Sequence, residues 1–247
     1  KGYQVSVYES NSYPGGKLTQ INSENYRFDA GPSLFTMPEK VNELLSIEGE
    51  SSVVFEYQRL KEVCRYFYED GTIIKGWGDK NLFAKEVKEK LGVSEKITLR
   101  YLSKSEFIFN SVNDLFLNKS LHKLKTYFSL RTLFSFLKLP FLNISRPMND
   151  VNEKSLRNSK LVQIFNRYAT YNGSNPYKAP GILNLIPHLE FDKGAFYPKN
   201  GMHSITQSLY QKAISLGVNF YFNTTVNKID TDSSKIKSIQ IADEKHE

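Results

Sequence analysis

The sequence predicts an α/β fold in two parts, a strand-and-helix domain split by a long α+β insertion. Three observations predict it. A short alternating strand, Gln4-Val5-Ser6-Val7-Tyr8, ends in an acid, Glu9. A glycine pair with a cation, Gly15-Gly16-Lys17, follows it after a few turn-forming residues. Towards the other end, a helical pattern over about 201–216 feeds a strand at Val218-Asn219-Phe220-Tyr221-Phe222, the alternation from which parallel layers are built.

Taken in order, the first segment reads strand, loop, short strand at Tyr26-Arg27-Phe28, turn and helix. Pro38 suits the start of that helix because its fixed φ matches the first turn, and Val41, Leu44 and Leu45 give it an apolar side. Val53-Val54-Phe55-Glu56-Tyr57 and Cys64-Arg65-Tyr66-Phe67-Tyr68 alternate as strands. Glu69-Asp70-Gly71-Thr72 is a hairpin turn into Ile73-Ile74-Lys75-Gly76-Trp77. Helical periodicity runs over 79–138 with a break near Gly92-Val93-Ser94, where Ser94 and Glu95 mark a new start. Pro140 and Pro147 bracket a loop, a helix follows at about 155–170, and Asn172-Gly173-Ser174-Asn175-Pro176 is a dense turn signal before a short helix over about 180–190. In the helix over 201–216, Ile205, Leu209, Ala213 and Leu216 share a face, and Gly217 ends it. Strands at Val226–Asp230 and Ile236–Ile241 complete the pattern. The expected division is therefore 1–51 with 196–247 as one discontinuous domain, and 52–195 as the insertion.

Composition narrows the function. The chain has 247 residues, 40% of them hydrophobic, with 17 Phe and 15 Tyr, enough aromatic surface for a greasy ligand site. A single cysteine, Cys64, excludes an internal disulfide framework and any Cys-Cys metal site, and the four histidines have no metal-ligand spacing. No apolar run of about 18 residues is present, so no transmembrane helix is expected. The net charge is +7, and it is unevenly placed. Between Leu115 and Met148 there is no acid, while Lys119, Lys123, Lys125, Arg131, Lys138 and Arg146 alternate with Leu and Phe. Without Gly-aromatic RNA signatures, this pattern points to an anionic membrane surface rather than nucleic acid. A basic, solvated face on a helix pair is the other reading of the same residues.

The chemistry concentrates in the first 33 residues. An acid at the end of a second parallel strand can accept hydrogen bonds from both ribose hydroxyls and repels a 2′-phosphate, which suits FAD or NAD. The glycine-rich phosphate turn normally lies about 20 residues before that acid. Lys1-Gly2 stands where the first helix of such a unit would end, so the first strand and its turn are expected to lie outside this sequence. Gly15 and Gly16 let backbone N–H groups approach a phosphate, with charge from Lys17, and Gly31 in Phe28-Asp29-Ala30-Gly31-Pro32-Ser33 allows close packing on a flat ring. Asp29 reads equally as a structural turn acid or a ligand.

Val7-Tyr8-Glu9, Pro14-Gly15-Gly16-Lys17 and Phe28-Asp29-Ala30-Gly31-Pro32-Ser33 resemble the FAD-binding start of the phytoene desaturase family of carotenoid desaturases, which has a flavin amine oxidase-like, Rossmann-like fold. The resemblance continues through Arg167–Pro180, Tyr197–Met202 and Leu216–Ile229. The Arg167–Pro180 block is similar to the branch that desaturates hydroxylated or methoxylated carotenoids, the 1-hydroxycarotenoid 3,4-desaturases.

The resemblance implies FAD as cofactor. Glu9 would hold the ribose, Gly15, Gly16 and Lys17 would line the phosphate–ribose side, and Asp29, Gly31, Pro32, Gly201 and Met202 would lie near the flavin. Val226 would meet the adenine edge through its backbone. Two positions depart from the wider pattern: Lys17 stands where arginine is common, and Asn200 where a second glycine is. The resemblance further implies hydride transfer from a carotenoid polyene to flavin, an electron acceptor such as quinone or oxygen, and a peripheral position on the cytoplasmic face of a membrane through 115–148. It also implies that the family's C-terminal half lies outside this sequence, so that 1–247 alone is inactive. No catalytic base is assigned; His188, Glu190 and His203 are the candidate proton acceptors. Phytoene desaturase, carotenoid isomerase and a flavin-free prenyl- or lipid-binding protein of the same fold are the alternatives.

Overall fold

A computed structural model describes residues 2–47, 54–118, 138–233 and 235–242. The chain forms two compact units, 1–58 with 196–247, and 59–195.

In the first unit, β1 (Ser6–Tyr8) pairs in parallel with β8 (Asn219–Tyr221), Val7 facing Phe220. The Glu9 N–H extends the ladder to the Tyr221 carbonyl at 2.9 Å. β2 (Thr19–Ser23) and β3 (Tyr26–Ala30) form an antiparallel hairpin. Only part of β3 was expected, because Thr19-Gln20-Ile21-Asn22-Ser23 has one bulky apolar residue and so no visible period of two. α1 (Glu39–Leu45) buries Val41 and Leu45, four apart on one face, while Leu44, expected beside them, is exposed. The strand expected from Val53 begins only at β4 (Tyr57–Arg59), which pairs with β7 (Phe196–Pro198); Val54 is exposed.

The last helix of the unit is held to the parallel pair by aromatic contacts. Tyr210 packs edge-on against Phe220, with ring centroids 4.7 Å apart. The helix ends at Gly217, whose φ of +82° turns the chain into β8. β9 (Thr225–Asp232) and β10 (Lys235–Ala242) close the unit as an antiparallel hairpin. Phe35, Val41, Leu45, Met202 and Ile205 form its core.

The second unit begins with the hairpin β5 (Glu62–Phe67) and β6 (Ile73–Trp77). α2 (Lys80–Leu91) is capped by Asp79, whose Oδ1 accepts from the N–H groups of Asn81 and Leu82 at 2.8 and 2.9 Å. Gly92, at φ +68°, separates it from α3 (Glu95–Asn118). The helix expected at about 155–170 is α5 (Ser159–Asn166), continued by a 3₁₀ turn at Arg167–Asn172, and it is preceded by a helix that was not expected, α4 (Met148–Leu156). Arg157 adopts a left-handed φ of +52°, and Asn158 caps the new start by accepting from the Leu161 N–H at 3.0 Å. The helix expected over 180–190 is instead a 3₁₀ turn at Gly181–Leu185 and a π turn at Leu189–Lys193. The core holds Ile74, Phe83, Leu102, Met148, Leu161, Phe165 and Tyr168. It is crossed by a satisfied polar chain: Tyr101 donates to Asn152 at 2.7 Å, Asn152 to Asn166 at 2.8 Å and Asn166 to Asn149 at 2.8 Å. Most of the basic stretch, residues 119–137, lies outside the described residues. Among the described residues, no helix is long and apolar enough to cross a membrane.

The last helix of the first unit, α6 (His203–Ser215), starts directly after the Gly201-Met202 turn. That turn carries Gly201 and Met202, and Glu9 directly follows β1.

Candidate cofactor and substrate residues

Glu9 sits at the carboxyl end of β1, where the parallel ladder closes. Its Oε1 accepts from the Asn11 N–H at 2.8 Å, from Asn11 Nδ2 at 2.9 Å and from Ser10 Oγ at 3.3 Å. The bond from the Asn11 N–H is the main cause that holds its pKa below the ordinary carboxylate value. The carboxylate is therefore oriented and ionised, and among the described residues no side chain donates to Oε2. This fits a ribose diol.

The glycines have two different explanations. Gly16, at φ +54°, would have nothing within 4 Å of an added Cβ, so an approaching ligand meets bare backbone there. Gly31 is different: at φ +110°, its Cβ would come to 1.9 Å from the Lys17 carbonyl oxygen. Glycine is therefore required at this position by the Lys17 backbone alone. Gly15 likewise faces Thr206 on α6, at 2.5 Å from a hypothetical Cβ, and Gly201 faces the Arg27 guanidinium at 1.9 Å. Lys17 itself is exposed and pairs with no carboxylate among the described residues. Pro32 is exposed beside Gly31.

Asp29, on β3, is the hub of this region. Its Oδ1 accepts from Arg27 at 2.8 Å and from the Met202 N–H at 3.0 Å, and its Oδ2 accepts from the Tyr197 hydroxyl at 2.6 Å. Burial pushes the carboxyl upward, but the Tyr197, Met202 and Arg27 bonds together outweigh it and hold the pKa below the ordinary value. The acid thus pins the Tyr197–Met202 turn to β3, and its contacts are to protein donors. Met202 sends its side chain into the core, 3% exposed, and Gly201 is buried beside it. A cleft of about 560 Å³ opens beside the turn, lined by Gln20, Arg27, Lys199, Asn200, His203 and Gln207. Val226 lies on β9 opposite Ile241, half-exposed and apart from the Asp29 contacts. Tyr197, Arg27 and Thr206 were not singled out in the sequence; Tyr197 carries no local signal because its carboxylate partner is 168 residues away, whereas the i,i+2 pair of Arg27 with Asp29 on one face of a strand was there to be read.

In the second unit the candidate proton acceptors are already engaged. Glu190, 2% exposed, accepts from Arg167 at 3.1 Å, from the Tyr168 hydroxyl at 2.5 Å and from the Tyr171 hydroxyl. Burial, with the Glu190 charge next, raises the Tyr168 and Tyr171 pKa values, so both phenols stay protonated as donors. His188 Nδ1 lies 2.8 Å from Asp192 Oδ2. Glu106, His188 and Asp192 place ligand atoms within 4.8 Å of one another, yet the Lys80 ammonium is 2.6 Å from Asp192 and 3.9 Å from Glu106, so a cation already occupies this cluster. In the first unit His203 is buried, with Nε2 3.4 Å from Gln207 Nε2.

A parallel strand pair ending in an ordered carboxylate, with a helix feeding the second strand, defines the class: an α/β protein of dinucleotide-binding architecture. The whole chain, residues 1–247, matches the family described as flavin containing amine oxidoreductase, and it belongs to that family. It is 46% identical to a 1-hydroxycarotenoid 3,4-desaturase of Flavobacterium sp. over 97% of this chain and 49% of that protein. It is 30% identical to a 4,4′-diapolycopene oxygenase of Methylomonas sp. over 98% of this chain and 48% of that protein. Its fold is shared with an oxidoreductase from Methanosarcina mazei, with a TM-score of 0.60 at 14% identity, covering 98% of this chain and 51% of that one. The chain spans about half the length of the curated relatives it matches.

Proposed function

We propose that this chain is part of an FAD-dependent carotenoid desaturase that introduces the 3,4 double bond into a 1-hydroxycarotenoid. One observation carries the reading: 46% identity to a 1-hydroxycarotenoid 3,4-desaturase, sustained over 97% of the chain and so through both units. The residues of the first unit fit the cofactor. Glu9 would hold the ribose diol through Oε2. The bare backbone at Gly16 and the cation of Lys17 would face the phosphates, and the Gly31-Pro32 and Gly201-Met202 backbones the flavin. Val226 would offer its backbone to the adenine. Asp29 acts through the Tyr197–Met202 turn, which it holds in place, and not by touching the cofactor. FAD, when bound, supplies the two-electron acceptor for hydride removal from an allylic carbon. The protein's part is to bind the polyene in an apolar environment, exclude water and fix its register. Glu190, with Arg167, Tyr168 and Tyr171 donating to it, serves as a rigid strut of the substrate unit and not as the base.

Substrate delivery from a bilayer, on the cytoplasmic face, through the acid-free stretch 115–148 belongs to the same reading, with quinone or oxygen as the final electron acceptor. The test is to express the full-length gene in cells that accumulate different carotenoids. The polyene of a 1-hydroxycarotenoid is expected to lengthen, and the purified protein to be yellow and to release flavin on denaturation. A colourless protein that cannot be reconstituted with FAD and alters no carotenoid would overturn the proposal in favour of a prenyl- or lipid-binding role.

A further inference from the structure

We infer that Asn184 recognises the hydroxyl group of the substrate; the inference rests on the carotenoid reading above. Asn184 lies in the 3₁₀ turn Gly181–Leu185 and is 3% exposed. Neither its Nδ2 nor its Oδ1 has a hydrogen-bond partner, and among the buried side chains described it alone leaves both polar atoms unpaired. The turn packs on α3 and α4, and its Ile182 and Leu185 lie against Ile108, Val112 and Leu142, a wholly apolar cluster.

The same unit shows that this fold can satisfy buried amides, since Asn149, Asn152 and Asn166 are chained to one another. An amide left unpaired in an apolar setting is destabilising. Leucine, of nearly the same size, would pack there without that cost. The cost is recovered when a ligand brings both an acceptor and a donor. An alcohol does so on one oxygen: its lone pairs accept from N–H groups and its O–H donates to a carbonyl. A hydrocarbon end offers neither, and an ether only accepts.

A second unpaired donor supports the match. Asn143 Nδ2 is also buried without a partner. Asn143 packs on Gly181, where an added Cβ would come to 3.0 Å of the Asn143 Cβ. In a 3₁₀ turn, residues three apart eclipse, so Asn184 follows Gly181 on one side of the turn. The Asn184 amide offers one donor group and one acceptor, and the unpaired Asn143 Nδ2 is a further donor beside the same turn.

The experiment uses the full-length enzyme and two polyenes of equal length, one with the terminal hydroxyl and one without. Asn184→Leu is expected to lower kcat/KM for the hydroxylated polyene at least tenfold and to leave the hydrocarbon unchanged or improved, so that the preference between them collapses. Asn184→Thr, which keeps one hydroxyl to exchange hydrogen bonds, should retain part of the preference. Wild-type flavin absorption and melting temperature establish that each variant is folded. An unchanged preference in the leucine variant, or an equal fall on both polyenes, would overturn the inference and assign the amide to packing or to a buried water. If the wild-type enzyme converts neither polyene, the carotenoid reading itself fails and takes this inference with it.

Discussion

At the scale of single residues, Asp29 shows how one carboxylate ties a distant turn to its strand. Three donors converge on it: its strand neighbour Arg27, the Tyr197 hydroxyl and the Met202 N–H. Its folded pKa is depressed, so the stability it contributes is fully present above the unfolded carboxyl pKa, about 4, and is lost as pH falls through the lower folded value. Asp29→Asn is therefore expected to destabilise the protein by about 2 kcal/mol at neutral pH, the scale of hydrogen bonds to a buried charge. The gap to wild type should stay constant from pH 8 to about 5 and close below about pH 4. Urea unfolding at pH 7, 5 and 3 measures this; a gap that widens in acid would contradict it. The surroundings of Glu9 and Gly16 were legible because they are local: a strand end, and an open turn. What a side chain at Gly15, Gly31 or Gly201 would meet was not, because Thr206, the Lys17 carbonyl and Arg27 are brought there only by folding.

Among the elements, those with strong local signals were legible and those defined by competition were not. The hairpin β5–β6, the break at Gly92 and the stop at Gly217 follow from turn residues and left-handed glycines. The helix at 148–156 was missed because only Met148, Val151 and Leu156 of its residues are apolar, while a left-handed Arg157 and the Asn158 cap separate it from the helix that follows. The 3₁₀ and π turns between Gly181 and Lys193 are equally opaque, since five residues cannot separate periods of 3.0, 3.6 and 4.4. Caps offer a direct test of how much these local signals contribute. Asp79 satisfies two first-turn N–H groups of α2, and that helix buries Phe83, Ala84 and Val87 in the core of its unit. Asp79→Ala is expected to cost about 1 kcal/mol and Asp79→Ser much less. Thermal melting of the two variants checks it, and equal loss in both would point to Asp79 acting through its charge and not through the cap bonds.

For the whole molecule, charge and apolar surface act together more than either does alone. The net charge of +7 is modest, but the acid-free run from Leu115 to Met148 concentrates it. Where this run re-enters the described structure, Phe141 and Ile144 are exposed, 65% and 45%, between the exposed cations Lys138 and Arg146. Exposed aromatic and aliphatic side chains among cations are the composition of a surface that inserts shallowly among anionic headgroups. A soluble helix pair with a solvated basic face has no need to expose them. The two readings separate on vesicles. The full-length protein should co-sediment with vesicles containing anionic lipid and dissociate as salt is raised, because charge attraction is screened over about 8 Å at physiological ionic strength. Each cation near the surface is worth about 1 kcal/mol, so reversing Lys123, Lys125 and Arg131 to glutamate should weaken binding on the order of a hundredfold or more. Phe141→Ser should weaken it further at high salt, where burial of the ring carries the remaining attraction. If neither change alters co-sedimentation, the basic run is a solvated face and the proposed delivery from a bilayer falls.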